Sequence, residues 1–313
     1  MNYDKYTGFF DSTNGTDKIA YYIYTPKVPV RGVVQISHGM CEYVERYEKF
    51  TDLLCGLGFA VCGNDHLGHG ASAAGEEELG YFAPELGWTY LPRDMRKMTL
   101  IMKERFPDLP FVIFSHSMGS FITRAYMAKF DSKYDGVILC GTSGGDPALN
   151  AGLILAKTLI AQFGDHYRSE KLENIISGVG NQRISLKRTS FDWITRDTDA
   201  LAEYIRDKRC NFIFTAGGYY DLIMLIEYIN ESTWADKINK NIPLFIISGT
   251  DDPIGGYGKS VEKVYNSLKD AKIKDVTMKL YDGARHELLS EINRDEVIAD
   301  ILSWIDSRFF ERD

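Results

Sequence analysis

The sequence has few prolines and no long apolar run. Nine prolines stand among 313 residues, of which 44% are hydrophobic and 26% are charged. This composition excludes collagen-like, disordered and disulfide-scaffold proteins and is typical of a globular chain with a substantial core. No apolar stretch approaches the roughly 20 residues that span a bilayer, and residues 1–6 lack the basic and apolar parts of a secretory signal. We therefore expect a soluble, cytoplasmic protein.

Cysteine and positive charge are also scarce. The five cysteines are odd in number, show no CxxC spacing and have no nearby histidine pair, which argues against a disulfide framework and a zinc site. The 36 lysines and arginines and 44 acidic residues give a net charge of -8 and a pI near 5.4. Because a field of this sign repels polyanions, we expect no nucleic-acid partner.

Short β-branched runs alternate with helix-patterned segments over most of the chain. Strands are predicted at 32–37, 59–64, 111–115, 136–140, 244–248 and 276–281, and helices at 47–57, 93–105, 119–130, 258–268 and 294–308. This alternation predicts an α/β protein with a mostly parallel central sheet flanked by helices. The turn signal Asn14-Gly15, followed by a strand-like run at 19–25, predicts an antiparallel start to the sheet.

The alternation stops between about residues 144 and 236. This part reads as helices and loops, and the strand pattern resumes at Leu244. No repeat, low-complexity tract or linker divides the sequence into independent halves. We therefore predict one core made of residues 1–143 and 237–313, with a helical cap at 144–236 inserted into it.

Ser117 stands between a predicted strand and a predicted helix, in the stretch Phe-Val-Ile-Phe-Ser-His-Ser-Met-Gly-Ser at 111–120. A nucleophilic serine on such a sharp turn needs small residues two positions away on each side, because neighbouring segments approach it closely. Gly119 meets this need on one side, and Ser115 replaces the usual glycine on the other. Since Ser117 alone could equally be a helix N-cap, the interpretation depends on finding a base and an acid.

The base and the acid are sought after Ser117, because α/β-hydrolases carry their triad in the order serine, acid, histidine. Of the six histidines, His166 and His286 follow the serine. His166 falls inside the predicted cap, whereas His286 follows the last predicted strand and is the predicted base. Asp251 and Asp252 compete for the role of the acid after the preceding strand. The Gly-x-x-Asp spacing favours Asp252 and leaves the other as a turn residue.

An ester carbonyl also needs donors for the negative charge that develops on its oxygen. The predicted donors are the backbone N–H groups of Met118, directly after the serine, and of Met40, in the loop after the strand at 32–37. Because only the backbone takes part, both side chains can also pack beside the cleft.

Two longer motifs accompany these residues. They are His-Gly-Met-Cys-Glu-Tyr-Val-Glu-Arg-Tyr at 38–47 and Asp-His-Leu-Gly-His-Gly-Ala-Ser at 65–72. Together with the serine motif they resemble the monoacylglycerol lipase and lysophospholipase branch of the α/β-hydrolases, which is also grouped with the serine aminopeptidases of family S33. The resemblance covers roughly residues 8–142 and 240–310. Ser115 and Ser120 stand where these lipases usually have glycine.

The predicted cap carries two apolar stretches, at 147–163 and 219–229. Most of their apolar residues are expected to pack between cap and core. The functional alternative is an acyl-chain tunnel with an exposed lip that touches lipid aggregates. Leu153, Ile154 and Tyr220 are the candidate substrate-binding residues of that tunnel.

The resemblance implies a serine hydrolase that cleaves esters of the monoacylglycerol or lysophospholipid kind through an acyl-enzyme on Ser117, with no metal or organic cofactor. His66 and His69 lack the further ligand spacing of a metal site. A short-chain carboxylesterase, an aminopeptidase and an acyltransferase use the same machinery and stay open. A hydrolase-fold protein that binds or senses a ligand is the alternative from another class. The expected partner is a small-molecule or lipid ester, and the sequence does not indicate an oligomeric state.

Overall fold

The computed structural model describes residues 2–145, 149–176, 180–185 and 187–310. Its central sheet is built from β1 (Tyr3–Asp11), β2 (Lys18–Pro26), β3 (Gly32–Ser37), β4 (Phe59–Asn64), β5 (Phe111–His116), β6 (Gly136–Cys140), β7 (Leu244–Gly249) and β8 (Val276–Tyr281). The eight strands lie in the order β1-β2-β4-β3-β5-β6-β7-β8. The pairs from β4 to β8 are all parallel, which confirms the predicted fold class.

The sheet begins with an antiparallel hairpin, as the turn signal predicts. β1 pairs with β2 over its whole length, and β2 then pairs antiparallel with β4. In the connecting turn, Gly15 has a φ of 84°, and the side-chain oxygen of Asn14 accepts hydrogen bonds from the backbone N–H groups of Thr16 and Asp17. The turn therefore uses both residues of the Asn-Gly pair, one for its side chain and one for its conformational freedom.

The five strands in the middle of the sheet are buried at every residue. These are β3 to β7. Burial on both faces explains why they read in the sequence as continuous apolar runs and not as alternating patterns. The helices that accompany the sheet are α1 (Glu48–Gly56), α2 (Tyr90–Arg105), α3 (Met118–Lys129), α8 (Lys259–Asp270) and α9 (Arg294–Phe309).

The segment between β6 and β7 is helical, and we call its residues 144–236 the cap segment. It contains α4 (Leu149–Phe163), α5 (Glu170–Ile176), α6 (Thr198–Arg206) and α7 (Ala216–Tyr228). The first two residues of the apolar stretch predicted at 147–163 lie outside the described residues. Within the described ranges, no helix is long and apolar enough to cross a membrane.

Both ends of the cap segment meet at Arg124 of α3, whose side chain is fully buried. Its guanidinium donates to the backbone carbonyl of Ser143 at 2.6 Å, where the segment begins, and to that of Ile229 at 2.6 Å, just beyond α7. It also donates to the Asn230 side chain at 3.2 Å and lies over the Trp234 ring at 4.2 Å. Burial lowers the pKa of Arg124 to about 9. One side chain of α3 thus holds both the entry and the exit of the cap segment.

Candidate active site

Ser117 occupies a strained backbone position between β5 and α3. Its φ is 49° and its ψ is −121°, which non-glycine residues rarely adopt. The conformation is held by its own backbone groups, since the N–H donates to the Cys140 carbonyl at 2.9 Å and the carbonyl accepts from the N–H of Ser120 at 2.8 Å. A serine whose strained backbone is fixed in this way at a strand-to-helix turn is typical of a nucleophile.

The residues two positions away from Ser117 must be small for different reasons. A Cβ at Gly119 would lie 2.1 Å from the Ser37 carbonyl oxygen, so only glycine lets α3 pack against the loop after β3. Ser115 is fully buried, and its hydroxyl donates to the Ile138 carbonyl on the neighbouring strand at 2.9 Å. The serine that replaces the usual glycine therefore finds a hydrogen-bond acceptor, which makes the departure from the motif tolerable.

The structure brings His286 to Asp252. The imidazole Nδ1 donates to the Asp252 carboxylate at 3.0 Å, and the Ser248 hydroxyl donates to the same carboxylate at 2.9 Å. Burial by itself would raise the pKa of Asp252, but the charge of His286 and these hydrogen bonds hold it below its ordinary value. Asp251, the alternative acid, is exposed. A Cβ at Gly249 would lie 1.9 Å from the Ala284 carbonyl, so the end of β7 packs closely against the loop that carries His286. Of the two aspartates, Asp252 is the one that contacts His286, and its role as the acid stays a prediction.

Ser117 and His286 line the same cavity, whose volume is about 560 Å³. This volume lies within the range usual for small-molecule sites. Because Nδ1 of His286 donates to Asp252, its Nε2 is the nitrogen left to accept a proton. The histidine ring is held between Trp193, with ring centroids 5.2 Å apart, and His116, with centroids 4.8 Å apart.

Met40 and Met118, the predicted oxyanion donors, line this cavity as well. Met118 is the first residue of α3, so its N–H has no acceptor in a preceding helical turn. The loop of Met40 approaches the serine through Gly39, where a Cβ would lie 3.0 Å from the Ser117 Cβ and 2.3 Å from a Glu42 oxygen. Glycine is therefore required for the loop to sit beside the nucleophile.

A buried carboxylate that the sequence analysis left without a role fixes this loop. Glu42 accepts from the N–H of Gly39 at 2.5 Å, from Nδ1 of His116 at 2.7 Å and from the Tyr47 hydroxyl at 3.1 Å. Burial would raise the pKa of Glu42, but the charge and hydrogen bond of His116, together with Arg46, lower it to about 2. The same pairing raises the pKa of His116 against the effect of burial. The sequence features that could have indicated this role are the glutamate in the 38–47 motif and the histidine that directly precedes Ser117.

The cap segment supplies an apolar section of the cavity, but not through the predicted residues. Its apolar lining residues include Leu149 of α4, Ile176 of α5, and Leu222 and Ile226 of α7, together with Phe121 of α3. The cap segment therefore closes one side of the cavity over Ser117.

Leu153, Ile154 and Tyr220, the predicted substrate-binding residues, are not among the residues that line the cavity, and their contact with substrate stays a prediction. The buried residues of α4 are the small Gly152 and Ala156, and a Cβ at Gly152 would already lie 2.8 Å from Ile176. Ile154, which lies two positions from each of them, is 68% exposed.

Ser117, Asp252 and His286 stand at the carboxyl ends of parallel strands in the chain order of α/β-hydrolases, and this arrangement together with the sheet defines the class. Within that class the chain belongs to the serine aminopeptidase S33 family, whose model matches residues 28–293.

Relatives of this chain include lipases and esterases. A monoacylglycerol lipase of Mycolicibacterium smegmatis is 28% identical over 295 residues, which cover 93% of this chain and 94% of that protein. A thermostable carboxyl esterase from Bacillus coagulans, solved in complex with glycerol, is 34% identical with a TM-score of 0.91, covering 97% of this chain and 99% of the other. The open form of a lipase is 27% identical with a TM-score of 0.89, covering 98% and 100%.

Proposed function

We propose that this protein hydrolyses carboxylic esters with an apolar acyl chain, of the monoacylglycerol kind, through an acyl-enzyme on Ser117. The observation that carries the proposal is the strained Ser117 in one cavity with a histidine whose Nδ1 is held by a buried aspartate. The similarity to a monoacylglycerol lipase and to a carboxyl esterase over nearly the whole chain supports the choice of esters as the substrate class.

In the first half of the reaction, the Ser117 hydroxyl oxygen attacks the ester carbonyl while Nε2 of His286 accepts its proton. Asp252 stabilises the imidazolium through the bond to Nδ1. The carbonyl oxygen, now negative, accepts hydrogen bonds from the backbone N–H groups of Met40 and Met118. The imidazolium then gives its proton to the alcohol oxygen, and the bond between this oxygen and the carbonyl carbon breaks. The alcohol departs, and the acyl group remains on the Ser117 oxygen as an acyl-enzyme.

In the second half, water attacks the acyl-enzyme carbonyl and His286 accepts the proton of the water molecule. The tetrahedral intermediate uses the same two backbone donors, and its collapse returns the proton to the Ser117 oxygen and releases the fatty acid.

The apolar section of the cavity suits the acyl chain. Phe121, Leu222 and Ile226 are contributed by α3 and α7, and the beginning of α3 also carries Met118. An acyl chain bound there starts at the oxyanion donors and continues along apolar side chains. Each methylene transferred from water contributes about 0.8 kcal/mol, so chain length should affect the rate strongly.

Contact with lipid aggregates is a further part of the proposal. Ile154 of α4 is 68% exposed and Phe163, at the end of the same helix, is 59% exposed. Large apolar side chains this exposed on one short helix favour contact with a lipid surface.

Hydrolysis of p-nitrophenyl esters from acetate to palmitate, by the wild type and by Ser117→Ala, tests this function. We expect activity that peaks at medium or long chains and is lost in the variant. Equal residual rates in the two proteins would contradict the proposal and favour a ligand-binding role.

A carboxylesterase that prefers short acyl chains is the second candidate. It is favoured by the 34% identity to the Bacillus coagulans carboxyl esterase. A peak at acetate or butyrate in the same ester series would select this candidate over the lipase-like one.

A further inference from the structure

The ionisable lining of the cavity is acidic. Glu42, Glu173 and Glu287 line it together with His116 and His286, whereas among the described residues no lysine or arginine lines it. An ester that enters this cavity therefore meets carboxylates and no fixed guanidinium or ammonium group. The charge of the alcohol part of the ester should consequently matter for binding.

Two of the three carboxylates are neutralised by neighbouring cations. Glu42 is paired with His116 at 2.7 Å. Both oxygens of Glu287 accept from the Arg46 guanidinium, at 3.1 Å and 3.2 Å, and this pair is largely buried. Such bidentate pairs present little net charge to a ligand. The net negative charge of the lining therefore resides mainly on Glu173.

Glu173, on α5, has no ion-pair partner within the described ranges. Its side chain is half-buried, and burial together with the charge of Glu170 raises the pKa of Glu173. Met40 and Cys41, which belong to the loop after β3, line the same cavity as this carboxylate. Asn174 and Asn211 line the cavity too, so it has a polar section besides the apolar one.

We infer that Glu173 makes the cavity select esters by the charge of their alcohol part, favouring uncharged and cationic alcohols and rejecting phosphate-bearing ones. This inference rests on the proposed ester hydrolysis and narrows its substrate class. An unpaired carboxylate in a partly desolvated cavity attracts a cation and repels a phosphate more strongly than it would in water. Repulsion of this kind is a general route to specificity.

Three esters with one acyl chain test the inference: 1-octanoylglycerol, its 3-phosphate and octanoylcholine. All three are used below their critical micelle concentrations, so that the charge of an aggregate does not contribute. For each protein, the specificity constant kcat/KM for each charged ester is divided by the specificity constant for the uncharged glycerol ester. The proteins are the wild type, Glu173→Gln, Glu173→Asp and, as a control on the same helix, Glu170→Gln.

We expect Glu173→Gln to raise the phosphate ratio and lower the choline ratio, each by about tenfold. Glu173→Asp should keep both ratios near those of the wild type, and Glu170→Gln should shift them by less than about twofold because that side chain is exposed and screened. Ratios that do not move in opposite directions in Glu173→Gln, or that move equally in Glu170→Gln, would overturn the inference. Failure of the wild type to hydrolyse the uncharged glycerol ester would instead contradict the proposed function.

Discussion

The two sides of the cavity are built by different means. On the sheet side, Ser117 and Met40 are placed by backbone geometry, with Gly39 and Gly119 at points where a Cβ would lie 2.3 Å and 2.1 Å from its nearest neighbour. On the cap side, the apolar section of the lining consists of side chains on α4, α5 and α7, and Glu173 of α5 adds a carboxylate. The proposed reacting groups are therefore fixed by positions that tolerate few residue types, whereas the proposed acyl-chain section should tolerate more of them.

We therefore expect the sheet side to carry out the reaction and the cap side to determine which esters are bound. A change on the sheet side should abolish turnover, whereas a change on the cap side should alter which ester is preferred. The two sides are joined at Arg124, since this α3 residue holds both ends of the cap segment.

Asp252→Asn should produce the largest effect on the sheet side. An asparagine changes the favoured tautomer of His286 and removes the charge that stabilises the imidazolium, so we expect kcat to fall by about 10⁴-fold. Asp251→Asn, one residue away at an exposed position, is the matched control and should leave kcat within about twofold. Steady-state kinetics with a p-nitrophenyl ester checks both variants, and a comparable loss in the control would mean that the acid is misassigned.

Arg124→Met should weaken the attachment of the cap segment to the core. The substitution leaves the buried carbonyls of Ser143 and Ile229 without their donor, and we expect a loss of about 3 kcal/mol in the free energy of unfolding. Arg93→Met, at an exposed position of α2, should cost less than about 0.5 kcal/mol. Urea denaturation measures both values, and limited proteolysis should cut the cap segment of the Arg124 variant first. Equal stability of the two variants would show that Arg124 does not join cap and core.

Acid should lower the free energy of unfolding because three histidines of the core are buried, namely His38, His66 and His69. Burial lowers the pKa of His66 to about 3 and that of His69 to about 4, and it also lowers that of His38. Below about pH 6.5 the unfolded state binds protons that the folded state does not, so stability is full above this pH and falls toward the folded pKa values.

Each of these histidines should therefore cost about 1.4 kcal/mol per pH unit between pH 6 and pH 5. Urea denaturation of the wild type and of His69→Phe over this interval measures the slope. We expect a shallower slope in the variant. His166→Gln, at an exposed position, is the control and should not make the slope shallower, because the pKa of His166 is raised and this residue loses no stability on acidification. An unchanged slope in His69→Phe would contradict the assignment of a lowered pKa to His69.

Ile154→Ser should have the smallest effect, confined to the outer face of the cap segment. This side chain does not line the cavity, so the rate on a dissolved ester should not change. The rate on vesicle-bound monoacylglycerol should fall, and the ratio of the vesicle rate to the dissolved-ester rate should decrease by about threefold to tenfold. Thr158→Ala, also exposed on α4, is the control. A fall of both rates by one factor would point to a folding defect and against lipid contact.

Much of the core could be predicted from the sequence because its signals are local. The buried strands β3 to β7 are apolar runs that match the predicted ranges within a residue, and Asn14-Gly15 marks the hairpin. The position of Ser117 follows from the small residues around it, and Asp252 follows from its spacing to the glycine that ends β7. Each of these features depends on neighbours within a few positions of the chain.

The cap side is harder to predict because its geometry depends on distant contacts. A helix such as α4, apolar around most of its surface, gives no period from which to choose the inward face, so the sequence does not distinguish Leu149 from Leu153 and Ile154. The role of Glu42 depends on His116, 74 residues away, and no local pattern joins the two. The division into core and cap at residues 144 and 236 stays a prediction.

The central claim, that Ser117 becomes acylated, is tested most directly by intact-protein and peptide mass spectrometry after rapid acid quenching with p-nitrophenyl octanoate. The account predicts a mass increase of one octanoyl group on the peptide that contains Ser117, formed with the burst of p-nitrophenol and absent from Ser117→Ala. Turnover of the ester with the acyl group on another residue, or an equal burst in Ser117→Ala, would contradict it.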